Sequence, residues 1–299
     1  MEKNKAILLV LVALLVLLVS CDVTVEDKAL EENQVEFDTL VVDNRQYLRN
    51  DTTSPYCDLS IRFIYPTTTD KVNLEALQQL FITNTFGLLY DDFSPKEAVE
   101  RYVSNFLKNY EADARIFKRE VGGLDNSADL VSEIFNSPHE KEMQDQEFYT
   151  YIETLETKIH FNKNNLLSFQ VFRTNKKGSS ATYSSFSNYV VNLETGKLVT
   201  ENDIFVAGYD TALQQLFEFK LLQQNRVNTV YDLEELGYFG IEEIMPNRNF
   251  LIDEDGITYI FNKGEYSAYL LDAPEIFLPF NDVVMLLREN TLVTKLAEL

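Results

Sequence analysis

Few side chains in this 299-residue chain could carry out chemistry, and their spacing narrows the options further. There are 2 His, 2 Cys and no Trp. His139 and His160 stand 21 residues apart, and neither belongs to an HExxH or HxxxH pair. Zinc needs three or four ligands within reach, so both histidines are read as surface residues and no metal is expected. Lys177-Gly178-Ser179-Ser180 lacks the second glycine of a GxSxG elbow, which leaves a polar loop instead of a nucleophile. No GxGxxG or GxxxxGK stretch is present to cradle phosphates, and no cofactor is expected. Asp253-Glu254-Asp255-Gly256 begins like a calcium loop but has no glutamate at the twelfth position, so a hairpin turn is the better reading. The 48 Asp and Glu residues supply carboxylate pairs in abundance, which is why no particular pair stands out as a glycan-hydrolysing couple.

Charge says more than any motif. Lys and Arg number 26, for a formal net charge of -22. A chain of this sign repels phosphate backbones and attracts cationic partners, so nucleic acid is not an expected ligand. With 45% hydrophobic residues the chain can bury a core, which sets it apart from disordered acidic proteins.

Cys21 is the residue whose setting points most directly to chemistry. Lys3 and Lys5 precede an apolar run from Ala6 to Val19, and Ser20 and Cys21 follow. Those 14 residues would span ~21 Å as a helix, short of the ~30 Å hydrocarbon layer, so the run reads as a secretory signal and not as a membrane span. Leu18-Val19-Ser20-Cys21 resembles the lipobox of bacterial lipoproteins. The resemblance implies cleavage before Cys21, acylation of its thiol, and a membrane partner reached through that N-terminal lipid. It places the protein in the cell envelope, with the outer membrane or cell surface favoured. Loss of Met1–Ser20 removes Glu2, Lys3 and Lys5 and takes the net charge to -23. Cys57 then remains as a lone thiol. Its place in the alternating run Cys57, Leu59, Ile61, Phe63, Tyr65 predicts a core position.

The elements that must position everything else follow from periodicity. Asp22 to Gln34 carries five acidic residues against Lys28 and has no apolar period, so residues 21–34 read as a solvated tether. Ser94-Pro95-Lys96-Glu97 is a capping box, followed by Val99, Tyr102, Val103, Phe106, Leu107 and Tyr110 on one helical face. Val103 and Phe106 are expected in the core. A helix from Asn73 buries Leu74, Leu77 and Phe81, and one from Asp210 to Gln224 buries Leu213, Leu216, Phe217 and Leu221. Leu155 to Phe161 and Leu167 to Val171 flank Asn162-Lys163-Asn164-Asn165 as a hairpin. Thr182 to Leu193 is a further strand, and Leu251-Ile252 and Ile257 to Phe261 flank Asp255-Gly256 as a second hairpin. The class is α+β, an antiparallel sheet packed with helices in two closely associated α/β subdomains. The expected organisation is a signal peptide at 1–20, the tether at 21–34, an N-terminal α+β domain at 35–187 and a C-terminal domain at 188–299.

Three stretches carry a family resemblance: Asn192 to Lys197 with Asp203-Ile204-Phe205; Asn249-Phe250 through Asp255-Gly256-Ile257 to Phe261-Asn262; and Glu265, Tyr269 and Ile276 to Phe280. Together they resemble the extracellular domain shared by RsiV-type anti-sigma factors and PdaC-type peptidoglycan deacetylases, and the region before them is similar to its usual partner domain. The resemblance implies a non-enzymatic module that binds a protein or cell-wall ligand, with a cationic protein such as lysozyme as the named candidate. Only Met1 to Lys5 precede the apolar run, so no sigma-factor-holding segment is expected, and the metal-binding aspartate and histidines of a deacetylase have no counterpart. The GGAH stretch that the family often carries is replaced by Lys177 to Thr182. A glycan-acting enzyme using paired carboxylates and an accessory subunit of an envelope complex are the alternatives. The oligomeric state is left open by the sequence.

Cys21→Ser should abolish acyl labelling and release the protein from the membrane fraction. Membrane retention of that variant equal to wild type would show that Cys21 is not the anchor.

Overall fold

The computed structural model describes residues 30–48, 52, 55–132 and 149–299, with the side chains of 116–132 excepted. Cys21, His139 and most of the acidic tether lie outside the described residues. Two strands, β1 (Val35–Tyr47) and β2 (Tyr56–Thr69), form an antiparallel pair. Two helices follow, α1 (Leu74–Phe86) and α2 (Pro95–Ser132). The chain then returns to the sheet as β3 (Tyr151–Lys163), β4 (Leu166–Lys177), β5 (Tyr183–Asn192) and the two-residue β6 (Lys197–Leu198). Strand order is β1-β2-β3-β4-β5-β6.

All neighbours in this sheet are antiparallel except β2 and β3, which pair in parallel from Cys57–Tyr151 to Arg62–Glu156. A purely antiparallel sheet was expected. The difference follows from the helices: a strand that leaves the sheet for a long helical excursion can re-enter beside its predecessor pointing the same way. The parallel register ends at Arg62, and Pro66, which has no N–H to donate, falls beyond it.

Local chemistry sets the element ends. Asn73 caps α1 by accepting the Ala76 amide at 2.8 Å, and Ser94 and Glu97 close the capping box of α2. The β3–β4 hairpin turns on Asn164 and Asn165, with φ of 50° and 63°, the left-handed pair a two-residue turn of this hand requires. That turn also holds the end of the tether. The Glu31 amide donates to Asn164 Oδ1 (2.8 Å), the Asn164 amide to the Glu31 carbonyl (2.8 Å), and Asn33 Nδ2 to Asn162 Oδ1 and the Leu166 carbonyl. Residues 31–33 are therefore docked, because their backbone groups and the Asn33 amide complete those of the turn, while the Glu31 and Glu32 side chains stay exposed.

One face of the sheet packs against α1 and α2. Cys57, Leu59, Ile61, Phe63, Leu155 and Phe169 are fully buried, and Phe81 of α1 stacks on Phe169 with ring centroids 4.1 Å apart. On α2, Ala98, Val99 and Tyr110 are buried, whereas Val103 and Phe106 only pack against the rim of this core. The helix leans on the sheet through one side of its apolar stripe, so the expected burial of Phe106 is only half realised. Burial pushes the Cys57 thiol up to about 11, which leaves it an inert core residue.

The opposite face of β4 and β5 meets a second layer. Here α3 (Glu201–Ile204), α4 (Tyr209–Asn225) and α5 (Val230–Glu235) lead into a three-stranded antiparallel sheet, β7 (Phe250–Ile252), β8 (Gly256–Ile260) and β9 (Glu275–Pro279), closed by α6 (Phe280–Val283) and α7 (Leu292–Ala297). Leu213, Phe217 and Leu221 of α4 lie over Tyr259, Phe261 and Ile276. The β7–β8 connection is Asp253–Asp255, with Asp253 Oδ1 accepting the Asp255 and Gly256 amides at 2.9 and 3.0 Å. Gly256 itself opens β8 because a Cβ there would stand 2.2 Å from the Leu278 carbonyl oxygen. The expected subdomain boundary after residue 187 falls inside β5, which belongs to the six-stranded sheet.

Phe81→Ala should cost ~3–5 kcal/mol in urea unfolding, and Phe106→Ala distinctly less because its site is half open. Equal losses would show that α2 buries the Phe106 side of its stripe as deeply as the sheet side of α1.

Candidate functional site

Two asparagines join the layers. Among the described residues β5 has no strand partner along most of its outer edge, and the side chains of Asn249 and Asn262 take that place. Asn262 Oδ1 accepts the Phe186 amide (2.7 Å), Asn249 Oδ1 accepts the Asn188 amide (2.8 Å), and both Nδ2 groups donate to the Phe186 carbonyl at 3.1 Å. Deeper in, Ser168 Oγ donates to the Ile252 carbonyl at 2.6 Å and is buried. Asn249 and Asn262, two of the residues that carry the family resemblance, are therefore structural clips.

Glu201 is the described carboxyl most removed from water, with its side chain only 4% exposed. It opens α3 beside the capping box of Thr200 and Asp203 and accepts the Arg248 amide at 2.8 Å. Arg248 holds φ 60° in the turn that aims Asn249 at β5. Burial raises the Glu201 pKa, and the hydrogen bonds it accepts from backbone amides, Arg248's first, and then the exposed Arg248 guanidinium 4.0 Å away, offset this only in part. Beneath it the Tyr259 phenol is kept protonated by its own burial first and the Glu201 charge second, without a well-formed hydrogen bond between the two. A carboxyl with a raised pKa is the hallmark of a general acid. This one faces inward and is engaged in holding a turn.

A second ionisable cluster ties the first layer together. The Tyr102 hydroxyl donates to Glu153, Arg173 Nη1 donates to Tyr102 (3.0 Å) and Glu153 (3.3 Å), and Arg173 Nη2 donates to the Thr85 carbonyl (3.0 Å). This network links the end of α1 and the first turns of α2 to β3 and β4. Burial, then the Glu153 charge, drives the Tyr102 phenol upward.

Among the exposed apolar side chains, which also include Leu88, Leu89 and Met285, one group lies on two paired loops of the second layer. Tyr238 bridges Ser267, the Phe239 amide donates to the Tyr266 carbonyl (3.0 Å), and the Ala268 amide donates to the Gly237 carbonyl (2.9 Å). This pairing brings together Leu236 (46% exposed), Phe239 (45%), Tyr269 (66%) and Leu270 (97%). Tyr269 lies across Gly264, where a Cβ would come within 2.8 Å of its ring. Val230 to Met245 carries Asp232, Glu234, Glu235, Glu242 and Glu243 with no Lys or Arg, and Glu265 and Asp272 add to the acid on the facing loop. Lys263 is paired with Asp272 at 3.7 Å. Apolar side chains ringed by carboxylates suit a partner surface that is apolar at its centre and basic around it.

Sequence reasoning marked Glu265 and Tyr269 only as bearers of a resemblance and passed over Leu236, Phe239 and Leu270. The available signal was aromatic residues beside Gly237, Gly240 and Gly264 inside an acidic stretch, where no element needs them for its core. His160 is exposed on β3, and Ser179 and Ser180 lie in a turn where the Ser180 amide donates to the Lys177 carbonyl. Among the described residues no group of three or more His, Cys, Asp or Glu is placed to hold a metal ion.

Residues 202–281, which lie in the second layer, match the family model described as Protein of unknown function (DUF3298). Among solved structures, a member of the DUF3298 family from Bacteroides fragilis is 24% identical, with a TM-score of 0.76 over 90% of this chain and 100% of that one. A DUF3298 family protein from Pseudomonas aeruginosa is 11% identical, with a TM-score of 0.54 over 87% of this chain and 97% of that one. Both share the fold well beyond the matched domain, the six-stranded layer included. No curated protein matches the chain.

The Glu201 site sets a pH dependence. Its folded pKa lies above the ordinary carboxyl value, so the folded state holds a proton that the unfolded chain has lost, and this contribution to stability falls as pH rises through that window. Glu201→Gln keeps an acceptor for the Arg248 amide and removes the charge. Urea midpoints of the variant should match or exceed wild type at neutral pH, with the difference shrinking as pH falls into the ordinary carboxyl range. A deficit of constant size at every pH would mean that the carboxyl is ionised in the fold without penalty.

Proposed function

We propose that this protein is a lipid-anchored binding module of the cell envelope and that the paired loops around Phe239 and Tyr269 hold a cationic protein. The observation that carries the reading is the near-complete exposure of Leu270 beside Tyr269 within a surface rich in carboxylates. Exposing such side chains has no folding benefit, so a partner is the reason to keep them there. The net charge of -22 would speed encounter with a basic partner by long-range attraction. The RsiV/PdaC-type resemblance supplies lysozyme as the cationic protein to test first.

Placement supports the same reading. The tether enters at the β3–β4 turn, and the loop bearing Tyr269 leaves the fold at Asn262, clipped to Phe186. That is six residues, or ~20 Å, along β5 from Asn192 at the tether end. Within the described residues, the binding loops and the entry of the tether thus lie at different ends of β5. The enzyme alternative has Glu201 in its favour, but that carboxyl faces the interior. The accessory-subunit alternative draws on the same apolar surface and differs in the partner it names.

Lysozyme binding to the full protein should weaken steeply from low to physiological salt as the screening length falls to ~8 Å. Tyr269→Ala with Leu270→Ala should weaken it about tenfold or more, the scale of an interface hot spot, without lowering the melting temperature. An unrelated protein of similar pI is the control. Equal binding by that control, or no effect of the double variant, would rule out lysozyme recognition by these loops.

A further inference from the structure

β1 is the outermost strand of the six-stranded sheet, and among the described residues no strand pairs with its outer edge. The direction of its free backbone groups follows from two hydrogen bonds. In an antiparallel pair, residues alternate between those that bond their neighbour strand and those turned away from it. The Leu48 amide donates to the Pro55 carbonyl (2.8 Å), which fixes the even-numbered residues of β1 as those bonded to β2. Ile64, the partner of Thr39, gives its amide to Thr157 Oγ1 on β3 and so faces away from β1. Phe37, Thr39, Val41, Asp43 and Arg45 therefore present their amides and carbonyls outward. The Thr39 amide is taken locally by Asp38 Oδ1 at 2.7 Å.

We propose that this edge pairs with β1 of a second copy of the chain, antiparallel about a two-fold axis at Val41. Val41 is the midpoint of the 13-residue strand, so this register alone overlaps the strand along its whole length. It sets Thr39 against Asp43, Phe37 against Arg45 and Val41 against itself, all residues whose backbone groups face outward. Between them Leu40 meets Val42, Asp38 meets Asn44, and Glu36 meets Gln46. No carboxylate stands opposite another, which matters in a chain of net charge -22. Moving the axis to Asp43 opposes two carboxylates at the centre. Moving it to Thr39 sets Asp38 against Leu40 and Glu36 against Val42. Val41 is 59% exposed in the single chain, and the pairing would cover it with its own counterpart.

The contact is one strand pair wide, so thiol cross-linking of the full chain in cells is the measurement suited to it. Cys57 is fully buried and serves as a silent internal thiol. Val41→Cys should cross-link into a dimer, whereas Glu36→Cys should not, because its two copies would lie ~34 Å apart along the strands. Thr39→Cys chains should cross-link to Asp43→Cys chains. Adding Val41→Pro, which removes only an outward N–H, should reduce that mixed product to background. Should the proline lower the melting temperature, Val41→Lys, which sets two ammonium groups on the axis, does the same work. Cross-linking of Glu36→Cys as strong as that of Val41→Cys, absence of a Val41→Cys dimer, or a mixed product indifferent to Val41→Pro and Val41→Lys would overturn the proposal.

Discussion

The two layers of this fold are held in register by side-chain amides that complete the unsatisfied edge of β5. A strand edge facing another layer of protein cannot leave its N–H and C=O groups dry and unpaired without a cost of about 1–3 kcal/mol for each. Asn249 and Asn262 meet that demand because an amide offers donor and acceptor at the spacing of a peptide group. Each must then be held still. Asn249 is aimed by the turn at Asn247 and Arg248, which Glu201 secures from α3, and Asn262 follows directly from β8 through Phe261. The buried carboxyl, the left-handed arginine and the resemblance-bearing asparagines thus form one mechanical chain ending at β5.

The first layer solves a different problem. A parallel step from β2 to β3 needs a long connection, and the connection must itself be bound to the sheet. α1 and α2 do this with aromatic packing above Phe63, Phe81 and Phe169 and with the Tyr102–Glu153–Arg173 network at its margin. Removing one member of that network would strand the other charges in a half-buried site, which is why it reads as a tie between elements and not as spare reactivity. The tether end adds a third fixture, since Asn33 and Glu31 complete the hydrogen bonding of a left-handed Asn-Asn turn.

Much of this was legible from local signals. Asn73, the Ser94–Glu97 box, the Asn164-Asn165 turn and the stripe Leu213, Phe217, Leu221 each act within a few residues of themselves, so their spacing suffices. What was not legible depends on distant partners. The parallel pairing of β2 with β3 joins residues more than ninety positions apart, and nothing in either strand's alternation states its direction. Docking of Glu31 to Asn33 depends on a turn some 130 residues away. Phe106 was placed too deep because a helical stripe wider than its contact leaves one side at the rim. Leu236, Phe239 and Leu270 escaped notice because exposure is a property of the assembled surface.

Function is best located by asking which residues the fold does not use. Glu201, Tyr102, Arg173, Asn249 and Asn262 have chemistry to offer, and each has its polar atoms committed to another part of the chain. Tyr269 and Leu270 are the reverse case: the backbone around them is pinned by the Tyr238–Ser267 bridge and the amide contacts beside it, while Tyr269 lies across Gly264 and Leu270 stands almost wholly in water. A rigid loop that keeps apolar groups in water has already met the ordering cost that a flexible loop would incur on binding. On the reading proposed above, the surrounding carboxylates would oppose self-association of such a surface, since like charges would face each other across the contact, and a basic surface would be the complement that relieves both the exposed apolar area and the acid around it.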